Sequence, residues 1–130
     1  MIEDTSFIID ILRDNEDALK FLDIIESEKR PEKISSITVL ELYEGLIRSN
    51  ASTSRRQKVL DVLNTKHVVD ADTNVMRRAG RLSGDLFNRG KHIDREDCII
   101  AATAIQEDEP LITRNTDHFE RIDGLTIRSY

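Results

Sequence analysis

Apolar positions along the chain follow two rhythms. In EDALKFLDIIESEKR (16–30), Leu19, Leu22 and Ile25 recur at the spacing of one helix face. Residues 6–13, TVLELYEGLIRS (38–49), STSRRQKVLDVLNT (52–65), DTNVMRRAGRLSGDLFNRG (72–90), DREDCIIAATAIQED (94–108) and the short NTDHFERI (115–122) are predicted helices too, with Gly90 a C-terminal stop. Between them lie brief apolar or β-branched runs: residues 1–4, KISSI (33–37), HVVDA (67–71), PLIT (110–113) and LTIRSY (125–130). Five short strands separated by helices predict an α/β domain with a mainly parallel sheet. No linker, repeat or low-complexity stretch divides the chain, so residues 1–130 read as one domain. In such folds ligands bind where strands end and helices begin.

Composition narrows the class. With 38% hydrophobic and 34% charged residues in a chain of 130, a folded and highly charged globular protein is expected rather than a disordered one. No apolar run approaches the roughly 20 residues needed to span a bilayer, and no basic-then-apolar leader opens the N-terminus. Cys98 is the sole cysteine, so no intrachain disulfide is possible. A cytoplasmic setting without membrane contact is expected. The net charge of −6 argues against nonspecific nucleic-acid binding. Basic residues nevertheless gather at Arg48, Arg55, Arg56 and Lys58, and again at Arg77, Arg78 and Arg81, where a solvated helix face is the plain explanation.

Four acids stand where chemistry is expected. Asp4 heads the apolar stretch FIIDIL, where an unpaired charge costs several kcal/mol. Glu41 follows KISSI, Asp97 lies just inside the helix beginning near Asp94, and Asp117 follows PLIT. Each sits beyond a strand's carboxyl end, and a parallel sheet would draw them to one edge. Ordinary helix capping offers an alternative for each. Thr38-Val-Leu-Glu41 matches a capping box, Asp94-Arg-Glu-Asp97 imitates one, and Asn115 can cap the helix of Asp117. Clustered carboxylates repel, however, by about 4 kcal/mol per close pair at an effective dielectric of ~20. A hard divalent cation among them removes that penalty and suits metal-assisted phosphodiester hydrolysis. Thr5, Ser6, Thr113 and Asn115 offer hydroxyl and amide groups to orient carboxylates. Along the Glu41 helix the apolar stripe is read as Ile37, Leu40, Tyr43 and Ile47, and small residues, Ala101 and Ala104, share the Asp97 face.

DTSFIIDIL, SSITVLELYEGL, DREDCIIAATAI and LITRNTDHFERIDGLTI together resemble the PIN-domain ribonucleases, and within them the toxin halves of VapBC toxin–antitoxin pairs. The resemblance covers nearly the whole chain in order. It implies a PIN-like three-layer α/β/α sandwich with a central, mainly parallel sheet of about five strands and an acidic pocket for Mg²⁺ or Mn²⁺. By that resemblance Asp4, Glu41, Asp97 and Asp117 are the four acids. Asp4, Asp97 and Asp117 ligate metal, and Glu41 orients or deprotonates the attacking water. Thr5, Ser6, Thr113 and Asn115 support the site, and Asp94 is either a neighbour of the metal or an N-cap. It further implies endonucleolytic RNA cleavage leaving 5′-phosphate and 3′-hydroxyl ends, a homodimer, and a VapB-like antitoxin in the active-site groove.

His67, His92 and His118 share no metal-ligand spacing, and His118 is expected to point away from the acids. Cys98 opens an apolar run and reads as a buried thiol; Phe7, Phe21, Phe87 and Phe119 read as core. A phosphotransfer receiver would want a Lys after PLIT and a phosphorylatable Asp after a middle strand, and a haloacid-dehalogenase-type phosphatase would want Asp-x-Asp early; neither pattern is present. A non-toxin RNA-processing nuclease and a catalytically idle RNA- or protein-binding module are the alternatives that keep the fold.

Overall fold

The computed structural model describes residues 1–130. Five strands form one sheet: β1 (Ile2–Glu3), β2 (Lys33–Ser35), β3 (His67–Val69), β4 (Leu111–Ile112) and β5 (Ile127–Arg128). Their order is β3-β2-β1-β4-β5 and every pairing is parallel. Ile2 stands opposite both Lys33 and Leu111, so β1 is central and flanked on both sides. The parallel connections are made by seven helices: α1 (Thr5–Leu12), α2 (Glu16–Ser27), α3 (Ser36–Arg48), α4 (Thr53–Leu63), α5 (Thr73–Asn88), α6 (Arg95–Gln106) and α7 (Thr116–Phe119). No helix is long and apolar enough to cross a membrane.

Neighbouring strand residues point to opposite faces, and the core divides accordingly. Leu111 and Ile2 pack with Val75, Ala79, Leu86, Ile100 and Ala104 of α5 and α6. Ile112 and Met1 pack with Phe7, Ile11, Ala18 and Ile25 of α1 and α2 on the other face. A third cluster joins Ile8 and Ile34 to Leu42, Leu46 and Val59 of α3 and α4. Helices thus cover both faces of a sheet whose central strands, β1 and β4, are buried, while the edge strands β3 and β5 are more open. Ala101 and Ala104 are fully buried, so α6 lies close against the sheet.

The expected elements are present, and three details differ. α3 begins at Ser36, two residues earlier than the pattern predicts, because Ser35 caps it by accepting from Ile37 N–H. Thr38-Val-Leu-Glu41 is therefore no capping box; Thr38 is buried inside α3, and Glu41 lies in its second turn. The inward face of α3 is Thr38, Leu42 and Leu46, whereas Leu40, Tyr43 and Ile47 are exposed. Packing against Ile8 of α1 and Val59 of α4 fixes that rotation; of the apolar stripe read from the sequence, only Ile37 packs on the core and the rest faces outward. Phe87, expected in the core, is 70% exposed near the end of α5. Gly90 does stop α5, at φ +69°, a left-handed conformation that glycine adopts without penalty.

Candidate active site

Asp4 occupies the one-residue junction between β1 and α1. Its backbone is extended as at an N-cap, yet its side chain makes no capping hydrogen bond. Its carboxylate is instead gripped by two hydroxyls: Ser6 Oγ donates to Oδ2 at 2.7 Å and Thr113 Oγ1 donates to the same oxygen at 2.6 Å. Oδ1 has no protein donor. Thr113, at the carboxyl end of β4, also accepts from the Asn115 N–H at 3.0 Å. Asn115 thus supports the site through its backbone, and its side chain caps nothing. Between the two, Arg114 Nη1 donates to the buried Asp10 at 2.6 Å, and Tyr130 Oη donates to the same carboxylate at 2.6 Å. That pair ties the segment after β4, and the chain's last residue, to α1.

Glu41 is held from the same end of β1. Thr5 Oγ1 donates to Glu41 Oε1 at 2.8 Å and contacts Thr38 Oγ1 at 3.0 Å. Burial pushes the Glu41 carboxyl up to about 7, and the charges of Asp4, Asp97 and Glu96 push the same way. Asp97, in the first turn of α6, is raised to about 6 by burial and by Asp4, with a smaller push from Asp94. Asp4, Glu41 and Asp97 therefore share one electrostatic neighbourhood at the carboxyl edge of the sheet. The chain's lysine and arginine ion pairs lie elsewhere; only His118 faces one of the three acids, with Nδ1 3.3 Å from Asp97 Oδ2.

Asp117 and His118 are placed otherwise than expected: the first lies apart from the acids and the second faces one of them. Asp117 does not join the other acids. It is exposed and lines a shallow depression with Gly90, Lys91, Glu120 and Arg121. α7 is a single turn, and consecutive residues on a helix diverge by about 100°. The turn presents His118, not Asp117, to Asp97. Asp94 is the N-cap of α6 by position but makes no capping bond; it is exposed and acts on Asp97 only through its charge. Glu96, which the sequence reading passed over, adds its charge to Glu41 and shares a depression of about 260 Å³ with Thr5 and Glu41. Its only sequence signal was a place in the first turn beside Asp97. Cys98 is buried and its thiol is pushed up by burial, as an inert core cysteine should be.

The donor set suits a hard divalent cation. It consists of carboxylate oxygens, two of them driven toward their neutral forms by burial and by the charge of neighbouring acids. No three His, Cys, Asp or Glu side chains stand close enough to enclose an ion by themselves. Mg²⁺ does not require that: it binds through one or two carboxylates and retains several waters. Asp4, through its free Oδ1, and Asp97 are the residues placed to hold it.

The PIN domain family matches residues 1–125. Ribonuclease VapC1 of Methanocaldococcus jannaschii is 32% identical over 100 residues, covering 76% of this chain and 70% of that protein. A crystal structure of VapBC2 from Rickettsia felis bound to a DNA fragment from their promoter superposes with a TM-score of 0.89, covering 99% of this chain and 97% of the other at 24% identity. A DNA-bound VapBC from Salmonella typhimurium superposes with a TM-score of 0.78, covering 98% and 96% at 26% identity. With its all-parallel five-stranded sheet and the acids gathered at its carboxyl edge, this chain belongs to the PIN-domain family, among the VapC ribonucleases.

Proposed function

We propose that the chain is a Mg²⁺- or Mn²⁺-dependent endoribonuclease acting in the cytoplasm as the toxin of a type II toxin–antitoxin pair. The observation that carries this reading is the convergence of Asp4, Glu41 and Asp97, buried enough that two of them are raised to about 7 and 6, with no lysine or arginine ion-paired to them. A caps-only explanation would leave Asp4 bonded to backbone N–H groups of α1, and it is not.

A divalent cation bound at Asp4 and Asp97 would offset their charge and polarise the scissile phosphate. Ser6 and Thr113 hold the Asp4 carboxylate by Oδ2, and the unengaged Oδ1 would be the oxygen that holds the ion. Glu41 has one oxygen engaged by Thr5, which leaves Oε2 to orient a water and take its proton. That water's oxygen bonds to phosphorus, the P–O3′ bond breaks with its electron pair going to O3′, and a proton from solvent completes the 3′-hydroxyl. The products are 5′-phosphate and 3′-hydroxyl ends.

The partners follow from relatives and surface. The Salmonella neighbour is a DNA-bound VapBC, which supports a VapB-like antitoxin for this chain. Leu40, Tyr43 and Ile47 form an exposed apolar face on α3 beside Glu41, which supports burial in a homodimer. RNA cleavage by the purified protein with Mg²⁺, with Mn²⁺ and with chelator is the test. Activity is expected with either metal, none with chelator, and none from a folded Asp4→Asn variant. Full activity in chelator or in Asp4→Asn would defeat the assignment.

A further inference from the structure

Beside Glu41 the surface opens into a groove of about 560 Å³ between α1, α3 and α4, large enough for nucleotide-sized groups. Glu41, Leu42 and Leu46 of α3 line it, and Arg13, Arg55 and Lys58 line it from α4 and the end of α1. These cations differ from others near them. Arg48 is spent on Glu44 at 3.2 Å, and Arg56 donates its Nε to the Ala51 carbonyl at 3.1 Å. Arg13 and Arg55 are exposed and have no partner within the chain, and Lys58 is pinned in place by the Leu12 carbonyl at 2.9 Å, with Asp14 at 3.5 Å.

We propose that this groove holds the RNA strand on one side of the scissile phosphate, with Arg13, Arg55 and Lys58 on successive backbone phosphates. The inference rests on the nuclease reading. Its physical basis is the conflict the acidic centre creates. Asp4, Glu41, Asp97 and Glu96 repel the phosphates next to the one being cut, in a chain whose net charge is already −6. A strand seated there needs compensating charge within a nucleotide or two, beyond the reach of an ion at Asp4. Two guanidinium groups without internal partners in the groove that Glu41 also lines supply it, and their planar forks match phosphate oxygens. The apolar lining can meet ribose and base faces without selecting a sequence.

The test separates binding from cutting. Fluorescence anisotropy of a short labelled single-stranded oligoribonucleotide is measured in chelator over a salt series, for wild type, Arg13→Ala, Arg55→Ala and the double variant. Arg89→Ala, whose side chain is paired with Asp85 on α5, is the control. Neither Arg13 nor Arg55 has an internal bond to lose, so the variants should fold. Each phosphate contact removed should lower the slope of log affinity against log salt by about 0.7, with affinity down several-fold and Arg89→Ala unchanged. In Mg²⁺ the same variants should raise KM more than they lower kcat. Unchanged slopes and KM in the double variant would overturn the proposal. So would unchanged RNA binding together with lost binding of an acidic polyglutamate peptide, which would give the groove to a protein partner. A wild type that binds RNA with these slopes yet never cuts with either metal would sink the nuclease reading and leave the groove's role standing.

Discussion

Two hydroxyls converge on one oxygen of Asp4, and they come from residues 107 positions apart, Ser6 and Thr113. Hydrogen bonds to a charged acceptor are each worth about 1.5–3 kcal/mol. Here they also decide what the carboxylate faces, because an oxygen held by both hydroxyls leaves its twin free for a cation. Thr113→Val keeps the shape, removes that bond and strands the Asn115 N–H. The expected result is a loss of about 2 kcal/mol of stability and a roughly 10- to 100-fold fall in cleavage, with Thr113→Ser close to wild type. Thermal unfolding beside a cleavage assay checks it; a Thr113→Val enzyme with wild-type rates would show that Asp4 needs no such support. Asp4 itself was legible in the sequence as an anomaly, a charge leading an apolar run. Whether it was a cap or a ligand depended on Thr113, which only the fold brings near.

At the scale of elements, the strand ends impose their own electrostatics. Glu3 on β1 is fully buried, Lys66 before β3 reaches it at 3.1 Å, and Glu32 before β2 holds the same ammonium at 2.6 Å. Glu3 Oε2 has no partner. Burial raises the Glu3 carboxyl to about 7 against the pull of Lys66, while the two carboxylates together hold the lysine charged and its pKa above the ordinary value. Lys66 stays charged, and Glu3 takes up its own proton as pH falls through about 7. A carboxyl raised on folding binds its proton more tightly in the native state, so its stabilising contribution is complete below about pH 4.5 and fades as pH rises through about 7. Glu3→Gln, still hydrogen-bonding but uncharged, should therefore lose less stability than wild type between about pH 5 and pH 8. Melting curves in chelator measure this; parallel falls in both proteins would refute it. Element types and order were legible from periodicity. The rotation of α3 and the direction of α7 were not, because each is set by what the helix packs on. A one-turn helix such as α7 has too few residues for a pattern to reveal which side chain, Asp117 or His118, turns inward.

Across the whole molecule, the proposed cation would make folding answerable to its binding. Gathering Asp4, Glu41 and Asp97 at one edge costs repulsion and desolvation that the unfolded chain does not bear. A metal that binds only the folded protein returns that cost by mass action: at a concentration 100 times its Kd the gain is about 2.7 kcal/mol, or roughly 8 °C in melting temperature for a domain of this size. Mg²⁺ should raise the Tm of wild type by that order and leave Asp4→Asn nearly unmoved. Calorimetry with and without chelator checks it, and equal melting temperatures for wild type in both conditions would count against a cation at these acids.

The sequence by itself determined the succession of strands and helices, the parallel α/β class, and which acids stood beyond strand ends, because hydrophobic periodicity and helix signals are local. The tertiary structure alone decided which of those acids meet. It joined Asp4, Glu41 and Asp97, set Glu96 and His118 beside them, and left Asp117 in solvent. The reason is geometric: a strand fixes where a chain segment arrives, but a side chain's final direction depends on helix rotation, and rotation is settled by contacts between residues far apart in the chain.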